Sequence, residues 1–136
     1  MALPITALYA GVLAIFALVL SARAGGFRGK SGISVLYGDP KNMELAERVR
    51  VHQNFLEYIP MAIIIMGLIE ANGGGSTFVH SMGIVLIISR IAHAVGLKHD
   101  NMAHPGRTIG AGGTALMTLV AAVYLLWMVV KPMFAS

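Results

Sequence analysis

Polar and apolar positions in this chain separate into long blocks. Four apolar stretches, residues 4–22, 43–71, 77–97 and 106–130, are divided by short polar segments. A membrane-spanning helix needs roughly 17–25 residues, so each stretch predicts one crossing. The first is uncharged from Pro4 to Ala22. Although Ala22-Arg23-Ala24 has the small-x-small form of a signal-peptidase site, no basic residue precedes the apolar run. That run also exceeds the roughly 7–15 residues of a signal core, so a retained helix is expected. The second stretch begins with polar residues, continues through "MAIIIMGLI" and is closed by "NGGGS", a strong breaker. The fourth stops at Lys131 and Pro132. The pattern predicts an all-α integral membrane four-helix bundle forming one domain over residues 1–136.

Composition supports that class. The 136 residues are 57% hydrophobic and 12% charged, whereas soluble domains carry about 25% charged residues. Cysteine is absent, which excludes disulfides, Cys-ligated metals and a protein thiol nucleophile. The net charge of +4 is small and no basic run is dense enough for nucleic acid. Arg23, Arg28, Lys30 and Lys41 precede the second stretch, and Lys98 and Arg107 flank the third connection. The short loop between the second and third stretches has neither Lys nor Arg. The positive-inside bias then puts the first and third connections in the cytoplasm and both termini on the other side.

The candidate chemistry lies in "RVRVHQNFLEYIP", residues 48–60, where charges run directly into an apolar helix. Arg50, Asn54 and Glu57 are spaced i, i+4, i+7 and share one helical face, expected to point inward. Arg90 and His93 share a face of the third helix, and Arg107 opens the fourth. Ionisable groups within a membrane cost at least about 2.5–3.5 kcal/mol at its centre, so they pair or serve function. Three arginines stand against the single carboxylate of Glu57, and guanidinium suits forked recognition of carboxylates. A small zwitterion with excess negative charge fits this count; structural pairing of the helices is the alternative. Arg48 and His52 belong at the membrane interface, Arg48 by snorkelling.

"RVHQNFLEYIP" resembles the signature of the membrane-associated proteins in eicosanoid and glutathione metabolism, in the pattern Arg-x3-Asn-x2-Glu-Tyr-x-Pro from Arg50 to Pro60. "RIAHAVGLKHDN" and "GRTIGAGGT" are similar to a bacterial branch, which implies the bacterial inner membrane. The resemblance implies a homotrimer with sites between subunits, glutathione as co-substrate, and a lipophilic electrophile or hydroperoxide arriving from membrane lipid. It implies that Arg50, Asn54, Glu57, Tyr58, Arg90 and His93 hold glutathione, with Arg23 a weaker match, while Arg107 stabilises its thiolate. Two departures, Leu97 for a tyrosine and Ala111 for a hydroxyl-bearing residue, weigh against an eicosanoid substrate. The expected activity is a glutathione-dependent transferase or peroxidase, its site opening towards the cytoplasm. A non-catalytic lipid-binding or scaffold protein of the same fold, or a small anion transporter, are the alternatives.

Other features receive plainer readings. His99 and His104 share a short loop beside Asp100, better read as solvated than as a metal site with His93. The Tyr58 hydroxyl reaches either a thiol or a backbone carbonyl. "GAGGT", residues 110–114, has neither lysine nor preceding strand for a phosphate loop and predicts close helix packing. The nine methionines fill apolar helices. "YGDPKN" predicts a turn with Asn42 as an N-cap.

Overall fold

The computed structural model describes residues 2–134. It contains four helices, α1 (Pro4–Ser31), α2 (Met43–Ala71), α3 (Ser76–Gly96) and α4 (Pro105–Val130), followed by a short 3₁₀ turn at Lys131–Phe134. All four are long and apolar enough to cross a membrane. Among the described residues there is no strand. The chain is an all-α, four-helix integral membrane bundle.

Three of the four helices begin and end within one residue of their expected bounds, but α1 continues nine residues past Ala22. No proline interrupts it, and Gly32 ends it by adopting φ 68°, a left-handed conformation open to glycine. Tertiary contacts support the extension: Ala24 is buried, and the Arg48 guanidinium lies 4.6 Å from the centroid of the Phe27 ring. Arg28 Nη1 donates to the carbonyls of Ile33, Ser34 and Leu36 at 3.4, 3.3 and 3.0 Å, tying down the chain beyond the helix. A 28-residue helix is about 42 Å long, against a hydrocarbon core of about 30 Å. One end of α1 therefore stands clear of the acyl chains beside the start of α2. The Asn42 side chain caps α2, its Oδ1 accepting from Leu45 N at 2.9 Å.

The core is built from Leu13 and Leu20 of α1, Phe55 and Met66 of α2, Leu86 of α3 and Ala121 of α4, among others. Around it, Ile15, Leu18, Ile88, Leu119 and Leu126 point outward and stay exposed in the single chain, as lipid-facing positions do. The α3–α4 seam is the closest packed, and glycine is the reason. A Cβ on Gly96 would strike the backbone of Gly106 and Arg107, and one on Gly110 would strike His93 N and lie 2.5 Å from Ser89 O. One on Gly113 would strike Ser89 Oγ, while Gly112 faces open space. The close packing expected of "GAGGT" is present and is directed at α3.

At one end of the bundle the Glu70 carboxylate, near the end of α2, accepts from Ile5 N at 2.9 Å and Thr6 N at 2.7 Å. It supplies partners for first-turn amides of α1 that have no partner inside the helix. Tyr9 packs across Gly83 and its hydroxyl lies 3.1 Å from His80 Nδ1. The opposite end gathers all ten Lys and Arg residues except Arg90 and Lys131. The candidate site lies at this second, basic end.

Candidate functional site

The face that α2 turns to the core is the row Val51, Phe55, Ile59, Ala62, Met66 and Ile69. Arg50 and Asn54 each sit one residue before a member of that row, so helical geometry rotates them about 100° to its flank. The expected inward stripe is thus a lateral one. Arg50 Nη1 meets Glu57 Oε1 at 2.6 Å, with side chains 50% and 47% exposed in the single chain. Asn54 alone reaches inward, its Oδ1 accepting from Arg90 Nη2 at 2.7 Å.

Arg90 is 2% exposed. Its Nη1 donates to Thr114 Oγ1 at 3.4 Å, and its Nη2 lies 3.4 Å from His93 Nδ1. The guanidinium is 5.7 Å from the Phe55 ring centroid, and its buried Nε has no partner. Among the described residues its side-chain partners are Asn54, Thr114 and His93, and none is a carboxylate.

Arg107 is the third residue of α4. The His104 side chain caps that helix, Nδ1 accepting from Gly106 N at 3.1 Å, and the contact of Gly96 with the Arg107 backbone fixes its height against α3. Among the described residues the Arg107 side chain has no hydrogen-bond or ion-pair partner. It opens onto a cavity of about 360 Å³ that also meets Arg50, Asn54, His93, Leu97 and Ala46. Four of the expected site residues, from three helices, therefore converge on one space.

Five further lining residues were not anticipated: Tyr37, Lys41, Glu47, Lys98 and His99. Glu47 Oε1 accepts from Lys98 Nζ at 3.0 Å, and Oε2 lies 3.1 Å from both the His99 amide and His99 Nδ1. His99 is exposed, as expected of a solvated loop residue, and is also latched to α2 through Glu47. The spacing of Glu47 three residues before Arg50 was a legible signal of a shared face; nothing local marks Lys98 or His99. Among the described residues no group of three His, Asp or Glu could hold a metal ion.

Tyr58 and Arg90 lie elsewhere. With Ala111, Gly112, Thr114 and Ala115 they line a second cavity, about 340 Å³, between α2 and α4. Asn54 belongs to both cavities. Arg23 is not brought to either. It borders a small void of about 20 Å³ behind Glu47 and Lys98, and its carbonyl accepts from Arg48 Nη1 at 3.4 Å. Arg48 also pairs with Glu44 at 2.6 Å, consistent with its expected place at the membrane surface.

Known proteins share this sequence pattern. Residues 6–127 match the sequence model of the MAPEG family. The chain is 35% identical over 118 residues to the inner membrane protein YecN of Escherichia coli strain K12, covering 87% of this chain and 88% of the relative. The same values hold for YecN of Escherichia coli O6:H1. No solved structure gives a significant match.

Proposed function

We propose a function for this chain on one premise: it belongs to the MAPEG family. The reading is a membrane-bound, glutathione-dependent transferase whose site stabilises the glutathione thiolate for attack on a lipophilic electrophile. The observation that carries it is the unpartnered Arg107 side chain, facing a cavity that also holds Arg50, Asn54 and His93.

A cysteine-type thiol has a pKa near 8.5, and its thiolate is the reactive species. Lowering that value by about two units requires about 2.7 kcal/mol. One guanidinium about 4 Å away supplies about 4 kcal/mol at an effective dielectric of 20, so Arg107 suffices. Arg50, oriented by Glu57, engages a tripeptide carboxylate, while Asn54 and His93 offer neutral hydrogen-bonding groups. Tyr58 and Arg90, which the resemblance would also place on the tripeptide, border the neighbouring space instead.

The same reading covers location and assembly. The inner membrane follows from the name of the YecN relatives, and the basic end of the bundle faces the cytoplasm. The half-exposed Arg50 and Glu57 would meet acyl chains in an isolated chain, at the cost such groups incur in lipid. Cover by further copies, as a homotrimer, removes that cost.

The test is ultraviolet difference absorbance of purified protein titrated with glutathione. Wild type develops a thiolate band; Arg107→Ala binds glutathione, followed calorimetrically, without one. A normal band in Arg107→Ala removes the assignment of Arg107. No band in either protein transfers the fold to a binding role.

A further inference from the structure

Arg90 is buried, yet it does not line the cavity that Arg107 opens onto. What its guanidinium touches is the side chains of Thr114, Asn54 and His93. A guanidinium has donors and no acceptor, so a polar atom set against it must accept. Thr114 Oγ1 meets that demand and passes its own hydrogen to Gly110 O at 2.8 Å. Asn54 turns its carbonyl oxygen to Arg90 Nη2, which sends its NH₂ group the other way. His93 presents Nδ1, so that nitrogen carries a lone pair and the ring proton sits on Nε2. An imidazolium does not fit here, since its Nδ1–H would point at a donor. Gly110 keeps the histidine in place: a Cβ there would strike His93 N and lie 2.5 Å from His93 Cβ. Asn54 and His93 both line the cavity of Arg107. Among the described residues neither Asn54 Nδ2 nor His93 Nε2 has a hydrogen-bond partner, and neither atom is enclosed.

We infer that Arg90 is a positioning residue for an anion in the cavity of Arg107: by claiming one acceptor from Asn54 and one from His93, it turns both side chains donor-outward. Each of these side chains could otherwise present a donor or an acceptor. With Arg90 behind them, they offer an NH₂ group and Nε2–H to the space that Arg107 enters. Donors fixed in advance need no reorientation when negative charge arrives. Arg90 itself touches neither ligand nor reacting atom, and its effect passes through Asn54 and His93. Those two hydrogen-bond the anion rather than take its proton, and the thiol proton leaves to water. The last link, from donors to a glutathione thiolate, rests on the transferase reading; the His93 tautomer does not.

Nitrogen magnetic resonance spectra of protein with isotope-labelled histidine, purified without glutathione, read that tautomer directly. The His93 signal is assigned by its loss in His93→Phe. Wild type at neutral pH shows Nδ1 unprotonated and Nε2 protonated. In Arg90→Gln, whose amide can accept as well as donate, the two tautomers mix. A wild-type Nδ1–H signal overturns the inference even if no variant folds, and so does an unmixed Nε2–H tautomer in folded Arg90→Gln. The consequence is read from the pH midpoint of the thiolate band. Arg90→Gln raises that midpoint by about one unit, a tenfold loss of thiolate at pH values below it. Loss of a distant charge would contribute to such a shift, so the comparison is repeated in His93→Phe protein. There the same substitution moves the midpoint by about half as much or less. An equal shift in both backgrounds overturns the positioning role, because the Arg90 charge then acts through space alone. Where wild type forms no thiolate band the transferase reading falls, and the histidine spectra alone decide this inference.

Discussion

Arg50, Arg90 and Arg107 are chemically identical and structurally unlike. Arg50 is tied to Glu57, Arg90 is buried among neutral partners, and Arg107 is held by its backbone with its side chain open to the cavity. The proposed function draws on that difference, with Arg50 orienting an anion and Arg107 stabilising a thiolate. Glu47 governs the opposite wall, because among the described residues it alone hydrogen-bonds α2 to Lys98 and His99. Hydrogen bonds to charged groups contribute about 1.5–3 kcal/mol each. Glu47→Leu should accordingly raise amide hydrogen exchange across residues 97–104 by about tenfold or more. Exchange at the wild-type rate in that peptide would show that the loop is held by its helix ends alone.

At the scale of elements, helix four carries two messages in "GAGGTA", residues 110–115. Gly110 and Gly113 admit α3, while Ala111, Gly112 and Ala115 leave room beside α2. Gly110→Leu should cost about 1–3 kcal/mol by overpacking and lower the thermal midpoint. Gly112→Ala, facing open space, should be neutral or slightly stabilising in the same melting experiment. Helix number and register were legible beforehand because a bilayer demands long apolar runs. Which face of α2 points inward was not: lipid is as apolar as the protein core, so hydrophobic residues on α2 do not distinguish the two surroundings. The candidate residues Arg50, Asn54, His93 and Arg107 could be named from spacing and resemblance, whereas the division of Tyr58 and Arg90 into a separate cavity depends on the α2–α4 gap. The extension of α1 was hidden because Gly25, Gly26 and Gly29 weaken a helix locally, and tertiary contacts, among them the burial of Ala24 and the packing of Phe27 against Arg48, offset them.

The whole molecule is polarised, with eight of its ten Lys and Arg residues and the cavity of Arg107 towards one end. A cysteine-free chain makes the orientation simple to measure with single introduced cysteines and a membrane-impermeant maleimide. In spheroplasts Asn72→Cys should label from outside, and Asp100→Cys only after permeabilisation; the reverse pattern would invert the bundle. The pairing of Glu70 with Ile5 and Thr6 carries a further consequence, for biogenesis. The leading amides of α1 gain their carboxylate only when the far end of α2 has arrived alongside them. Until some seventy residues have left the ribosome, the first helix lacks that clasp, so α1 and α2 settle into the membrane as a hairpin whose last-made end fastens its first.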